Sequence, residues 1–589
     1  MANFVTIFIL LIIAISISKI TKIKIEEAMP ISVIGIALPI YICGLFDNLK
    51  VGIYGVALLI LFSICTIVYF IIKEKSIKLI LKQCLTPGIL VYILFYIINI
   101  LANKNRILEN YDEFNHWGLI IKNMYIYNKF GMHENSVVTF NEYPPFTAIF
   151  QYLFLSVQKM YSESTIITAQ NMLYISMIMP IFKEVSWKNI KKIFITIPVI
   201  LCPLVLYPDF FKEILADGFM GVMFAMGLYQ IYQKNSKVQN ILLLIYISTL
   251  SLTKTTGIVL AIALALAKLI NMIINKENKK DIGKFLLALL IPIVLTGAWY
   301  LKLSIYKANT NWDFEKVYLQ SANSTENSKA IIENFEEAFF GKKNYLTEKK
   351  LGTWLCVFIY MAYTICLYSK ISQDKKKSYK VCSIFMSIFT LIYILGMLWM
   401  YLTIFNFTEA GILASYERYV GTIILASFLF NTYILIEVIE AKLSNILLII
   451  SVLLVFLPFQ TIEKDYFREP STEVTKYENI LKYKNIFSEE DKVYYLGYSS
   501  MEERYALALI KYKMMPITTN NIHLEYKTDN QEFYNKLIEN GYTYLYLYRG
   551  SKSLEKEYND AFENEKISDD SLYKIVENNG KIYFRKIEI

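Results

Sequence analysis

Long uncharged apolar runs recur along this chain from its first residues to about position 460, and short polar stretches separate them. Many are roughly 17–25 residues long, enough to span a bilayer as a helix. "VGIYGVALLILFSICTIVYFII" (51–72) and "VCSIFMSIFTLIYILGMLWMYLTIF" (381–405) are examples. In hydrocarbon each backbone polar group must pair within its own segment, so these runs predict helices. Windows of about 19 residues give about fourteen of them, near 3–18, 29–46, 51–72, 85–102, 165–182, 193–208, 212–233, 239–253, 256–274, 284–303, 352–369, 380–403, 412–438 and 444–460.

Basic residues orient the helices. "KITKIKIEE" (19–27), "KEKSIKLILK" (73–82), "KEVSWKNIKK" (183–192), "KENKKDIGK" (276–284) and "SKISQDKKK" (369–377) belong on the cytoplasmic side by the positive-inside rule. If "FTAIFQYLFLSVQKM" (146–160) crossed the membrane, the basic loop 183–192 would fall outside. It is therefore expected as an interfacial or half-inserted helix on the outer side. The loop 103–145, the loop 304–351, the turn 404–411 and the tail from about 461 are then extracytoplasmic.

The tail differs in pattern. Strand-like "KVYYLG" (492–497) and "YTYLYLY" (542–548) alternate with helical periodicity near 501–513 and 530–540. A terminal hairpin turns at Asn578-Asn579-Gly580. Such alternation predicts a small α/β domain. It has no phosphate-binding glycine motif and no nucleophile elbow, so capping or acceptor handling without chemistry is its plainest role. The expected organisation is N-terminal helices over 1–84, a membrane domain over 85–460 and an extracytoplasmic domain over 461–589.

Composition agrees with a polytopic α-helical membrane protein: 55% of the 589 residues are hydrophobic and only 19% charged. The net charge of +9 is accounted for by cytoplasmic loops, so it does not argue for nucleic acid. The seven cysteines lie in or beside apolar runs, with no zinc-type spacing and none in the tail. That argues against a disulfide framework outside the membrane. The first apolar run lacks a basic leader and a small-residue cleavage site, and reads as a retained helix.

Candidate chemistry gathers at outer helix ends. In the long loop 103–145, Phe114, Trp117, Ile121 and Met124 recur at helical spacing, with Asn115, Lys122 and Lys129 opposite. This predicts an amphipathic helix lying in the membrane surface. Asp112 falls at its amino end, where the helix dipole favours a carboxylate. It is a base, a cation ligand or a plain N-cap. His116 follows four positions later on the same face. With Glu113, His133, Glu134 and Glu142 it is a metal-site candidate, but the spacing fits no strong ligand template, so a headgroup-level histidine stays open. "LYPDFFKEILADGFMG" (206–221) carries Asp209, Lys212, Glu213 and Asp217. "LSLTKTTGIVLA" (250–261) puts Lys254 in a short break, as a functional cation or one that snorkels to the interface. "ILASYERYVGTIIL" (412–425) puts Arg418 inside an apolar segment, where an ionisable residue is costly and points to function. Its guanidinium suits a phosphate.

Four of these stretches together resemble the GT-C superfamily of integral-membrane glycosyltransferases, which includes protein mannosyltransferases and bacterial aminoarabinose transferases. "YDEFNHWG" (111–118) is similar to the acidic motif of that family's first large outer loop. "NEYPPFTAIF" (141–150), with Tyr143, is similar to its Tyr-Pro-Pro segment, "LTKTTGIVLA" (252–261) to its Leu-Thr-Lys-Gly break, and "SYERY" (415–419) to its late Arg-Tyr element. The likeness covers roughly 85–440. It departs in having three spans before the acidic loop, in Thr-Thr-Gly after Lys254, and in lacking a Trp-Trp-Asp element. It implies a GT-C-like core and transfer of a sugar from a polyprenyl-phosphate donor to a glycan, lipid or protein hydroxyl of the cell envelope. Asp112 would be the base, with Glu113 orienting it or the acceptor. His116, Tyr143, Asp217, Lys254 and Arg418 would bind substrate, with a structural pairing of Asp217 to Lys212 or Lys254 left open. No cofactor is certain, and a divalent cation stays open. Two other classes compete: a polymerase or ligase of surface polysaccharides, and a transporter of lipid-linked sugars without bond chemistry.

Overall fold

A computed structural model describes residues 2–306, 325–439 and 478–588, except most of 134–139 and residues 348–349, 489, 498–500, 520–529, 552–558, 563–566 and 579–580, and it includes isolated positions between 440 and 477. The expected span 444–460 and the first part of the loop 304–351 lie outside the described residues. The chain forms two compact units. One comprises residues 1–104 and 140–468, the other residues 105–139 and 469–589. The acidic segment 105–139 thus packs with the C-terminal residues, whereas the sequence pattern groups it with the helices on either side of it.

The first unit is helical. Among the described residues, seven helices are long and apolar enough to cross a membrane: Ile25–Leu45, Leu49–Glu74, Glu163–Glu184, Thr255–Ile274, Lys279–Ile305, Gln373–Thr403 and Tyr416–Val438. Shorter apolar helices include Pro87–Ala102, Phe146–Gln158, Lys237–Ser251 and Thr353–Tyr368. Local chemistry starts several of them. The Asn48, Ser162 and Ser236 side chains accept amide hydrogens from Val51, Thr165 and Gln239, and Thr86 caps a helix whose first residue is Pro87.

Burial separates centre from rim. The apolar window of Glu163–Glu184 is wholly enclosed, whereas Leu49–Glu74 and Lys279–Ile305 present most of their apolar surface outward. That outward surface fits lipid. Helix Ala216–Tyr232 packs along Tyr416–Val438. Gly221 permits the close approach, since a Cβ there would lie 2.6 Å from the Thr422 carbonyl oxygen.

Three expectations need correction. Helix Phe146–Gln158 is not interfacial, because every residue from Phe146 to Leu155 is buried; its thirteen residues leave the half-inserted alternative. It is apolar nearly all round, and Gln151 meets Gln170 across its interface. The span expected at 193–208 is an α-helix only over Ile193–Leu201. A single turn led by Pro203 follows it, and nine residues reach only about 14 Å. The helix expected to begin at 412 begins at Tyr416. Leu413 and Ser415 adopt φ of 50° and 60°, which turns the chain before the helix starts.

The second unit contains a five-stranded sheet: β1 Lys492–Leu496, β2 Thr518–Thr519, β3 Tyr544–Leu547, β4 Ser571–Asn578 and β5 Lys581–Lys586. Their order is β2-β1-β3-β4-β5. β1 runs parallel to β2 and β3, and β4 runs antiparallel to both its neighbours, β3 and β5. Parallel neighbours require crossovers, and helices Met501–Met514 and Asn530–Glu539 lie in those connections. Tyr494, Leu496, Leu545, Leu547 and Tyr573 pack with Phe533 and Leu537 in one apolar cluster.

Candidate functional site

In the first unit, three helix starts converge. Asp217 is the second residue of helix Ala216–Tyr232, Lys254 immediately precedes helix Thr255–Ile274, and Arg418 lies in the first turn of Tyr416–Val438. The Lys254 ammonium is 2.8 Å from Asp217 Oδ1, and Arg418 Nη1 is 3.8 Å from Asp217 Oδ2. Asp217 and Lys254 are almost fully buried, whereas Arg418 keeps 24% of its side chain exposed. Arg418 is therefore less deep than its position in an apolar stretch implies, because the chain turns just before it. The structure also separates two pairings the sequence leaves open: Lys212 bonds Asp209 at 2.8 Å, and Lys254 takes Asp217.

Aromatic side chains complete the cluster. The Tyr419 and Tyr143 ring centres lie 5.0 and 5.7 Å from Lys254 Nζ, within cation–π range. Two bonds fix the segment carrying Tyr143. The Phe146 amide donates to the Leu252 carbonyl at 2.8 Å, beside the break that bears Lys254, and Trp299 Nε1 donates to the Glu142 carbonyl at 3.0 Å. Arg418 Nη2 donates to Ser415 Oγ at 2.7 Å. Tyr207 donates its hydroxyl to the Arg418 carbonyl at 2.6 Å, and Thr422 Oγ1 donates 3.2 Å to the Asp217 carbonyl. Sequence reasoning missed Tyr207 and Thr422. Nothing marks a hydroxyl in an apolar run as a tether until its partner carbonyl is known.

Charge defines what this cluster can hold. Two cations face one carboxylate, and each helix start adds the positive end of its dipole. Ammonium, guanidinium and helix amino ends together suit the oxygen acceptors of an anion.

Asp112, Glu113 and His116 stand together in the second unit. Asp112 has helical dihedrals, φ −68° and ψ −24°, so it lies inside the first turn and does not take the extended N-cap conformation. A π-helical turn, Glu113–Trp117, follows and runs into the α-helix Gly118–Tyr127. Buried Glu113 accepts the backbone amides of Glu109 and Asn110 on Oε2, each at 2.9 Å. His116 is buried with its ring edge-on to Trp117, 4.8 Å between centroids. The amphipathic helix does not lie on lipid through this apolar face: Phe114 packs between Tyr505 and Tyr512, with centroids at 5.6 and 5.5 Å. His133 Nε2 pairs with Asn123 Oδ1 at 3.0 Å. Glu134 lies outside the described residues. Among those described, no group of three or more His, Cys, Asp or Glu side chains is arranged to hold a metal ion.

No protein-family model matches the chain. No curated protein matches it either. Among solved structures, the crystal structure of ArnT from Cupriavidus metallidurans in the apo state is similar over 78% of this chain and 92% of that one, at 8% identity and a TM-score of 0.36.

Proposed function

We propose that the chain is a membrane glycosyltransferase with about fourteen spans and a GT-C-like core, working on the outer face of the cell membrane. It moves a sugar from a polyprenyl-phosphate donor to an acceptor hydroxyl of the cell envelope. The observation that supports this best is the junction of three helix starts where Lys254 and Arg418 share one carboxylate, Asp217. A phosphate on a lipid carrier is an anion that such a place, in a bundle of apolar helices, is suited to stabilise.

In this reading the acceptor oxygen attacks the anomeric carbon while the bond from that carbon to the phosphate oxygen breaks. Asp112 takes the acceptor proton, Glu113 holds the backbone beside it, and the anomeric centre inverts in one displacement. The polyprenyl phosphate leaves with the bonding electrons, and Lys254 and Arg418 stabilise its charge. Asp217 fixes Lys254, and Tyr143 and His116 contact the sugar or acceptor. Residues 461–589 stand outside the cytoplasm with the acidic loop.

Purified full-length protein given labelled polyprenyl-phosphate sugars, with and without chelator, tests this directly. Asp112→Asn is expected to lower transfer by about 10²–10⁴-fold, the range for loss of a general base, with folding unchanged. Normal transfer by that variant removes Asp112 from the role. Movement of the lipid-linked sugar across vesicles without any covalent change would instead support the transporter class.

A further inference from the structure

We infer that helix Met501–Met514 is the seat of the acidic turn, and that Tyr505 and Tyr512 are positioning residues for the backbone that carries Asp112 and Glu113. The role of Asp112 rests on the reading above. The packing of the seat does not.

The turn is irregular. Residues 106–110 are without regular structure and lead through two helical residues into the π-helix Glu113–Trp117. A π-turn is a rare backbone form that recurs at functional sites and needs outside support. The support comes from the far end of the chain, since Lys122 and Tyr512 are 390 positions apart. The backbone of Glu109 is held from both sides. Its amide donates to Glu113 Oε2 at 2.9 Å, and its carbonyl accepts the Tyr505 hydroxyl at 2.8 Å. Phe114, directly after Glu113, is fully buried against the Tyr505 and Tyr512 rings.

The loop in turn closes the helix. Lys122 donates to the Tyr512 carbonyl, and at 3.2 Å to that of Lys513, in the last turn of the helix. There a cation satisfies end carbonyls and the negative end of the dipole. Gly118 leaves the room this nesting requires. A Cβ at that position would lie 2.4 Å from Leu108 Cδ1 and 3.3 Å from a Tyr512 ring carbon. The C-terminal residues thus take part in shaping the acidic turn.

Hydrogen exchange and kinetics on the full-length protein in nanodiscs test the inference. Tyr512→Ala is expected to raise exchange at least about tenfold in a peptide covering 107–124, while β3 and β4 keep wild-type protection. Tyr512→Phe, which retains the ring, restores it. Tyr505→Phe is expected to lower kcat about tenfold with the donor KM unchanged. Should Tyr512→Ala also loosen the strands, Lys122→Met probes the same contact from the loop side and raises exchange in the last turn of 501–514. Wild-type protection of 107–124 in Tyr512→Ala, or of the last turn in Lys122→Met, overturns the seat. Loosening without a change in kcat overturns the positioning role. A wild-type protein that transfers no sugar defeats the proposed function, and the exchange arm still decides the packing.

Discussion

Lys254→Met leaves the Asp217 carboxylate buried, with Arg418 3.8 Å away and a quarter exposed. Breaking a buried pair by removing one partner costs about 3–5 kcal/mol, because the remaining charge is uncompensated. Denaturant unfolding of the full chain should show that loss, and Lys254→Met with Asp217→Leu should recover most of it. Sugar transfer should be absent from both, which separates the part each charge plays in folding from its part in chemistry. A second lysine makes a prediction about pH. Burial pulls the Lys511 ammonium in the C-terminal unit from its ordinary 10.5 down to about 8. Between those values the unfolded chain holds the proton and the folded chain releases it, so stability rises with pH across that window. Below about pH 8 the folded protein bears the full penalty, about 3 kcal/mol for this shift. Lys511→Met is therefore expected to flatten the rise from pH 8 to 10.5, and an unchanged pH slope in the variant contradicts it. Residue types were legible in the sequence at all of these positions. The choice of Lys254 over Lys212 as the partner of Asp217 was not, since Asp217 and Lys254 belong to different helices and only packing makes them neighbours.

At the scale of elements, the contact between helices Ala216–Tyr232 and Tyr416–Val438 sets the geometry of the cluster. Gly221→Ala places a methyl 2.6 Å from the Thr422 carbonyl oxygen, and the backbone of a helix yields little. Overpacking of this kind costs about 1–3 kcal/mol, so the thermal midpoint should fall. Transfer should fall with it, because Thr422 Oγ1 donates to the Asp217 carbonyl across the same interface. A midpoint equal to wild type would mean that the helices can separate freely there. Long apolar runs located most helices, because lipid leaves the backbone few alternatives. Ends and short pieces were harder. Pro203 stops the helix begun at Ile193, and positive φ at Leu413 and Ser415 delays the start of Tyr416–Val438. Neither leucine nor serine announces a left-handed conformation. The interfacial alternative for helix Phe146–Gln158 fails for another reason: an apolar helix buried in protein and one facing lipid have the same composition. The strand-like stretches 492–497 and 542–548 hold β1 and β3, where tyrosine-rich segments pair in parallel.

For the whole molecule, the apolar runs, the break at Lys254 and the polar tail were legible, whereas the division into units was not. A pattern read along the chain assigns 105–139 to its sequence neighbours, and its packing with helix Met501–Met514 depends on side chains 390 positions away. Orientation is the remaining whole-molecule quantity, and it follows from charge. The basic stretch 369–377 should stay on the cytoplasmic side, because positively charged loops resist translocation. The proposed reaction needs the sheet unit on the opposite side, since the acidic turn belongs to it. The seven cysteines are free thiols, so replacing them removes no disulfide. In that background, Lys581→Cys, exposed at the start of β5, should react with a membrane-impermeant thiol reagent in intact cells. Gln373→Cys, exposed at the start of helix Gln373–Thr403, should react only after permeabilisation. The reverse pattern would put the acidic turn in the cytoplasm. Transfer on the outer face would then fail on topology, however well the Lys254–Asp217–Arg418 cluster accepts an anion.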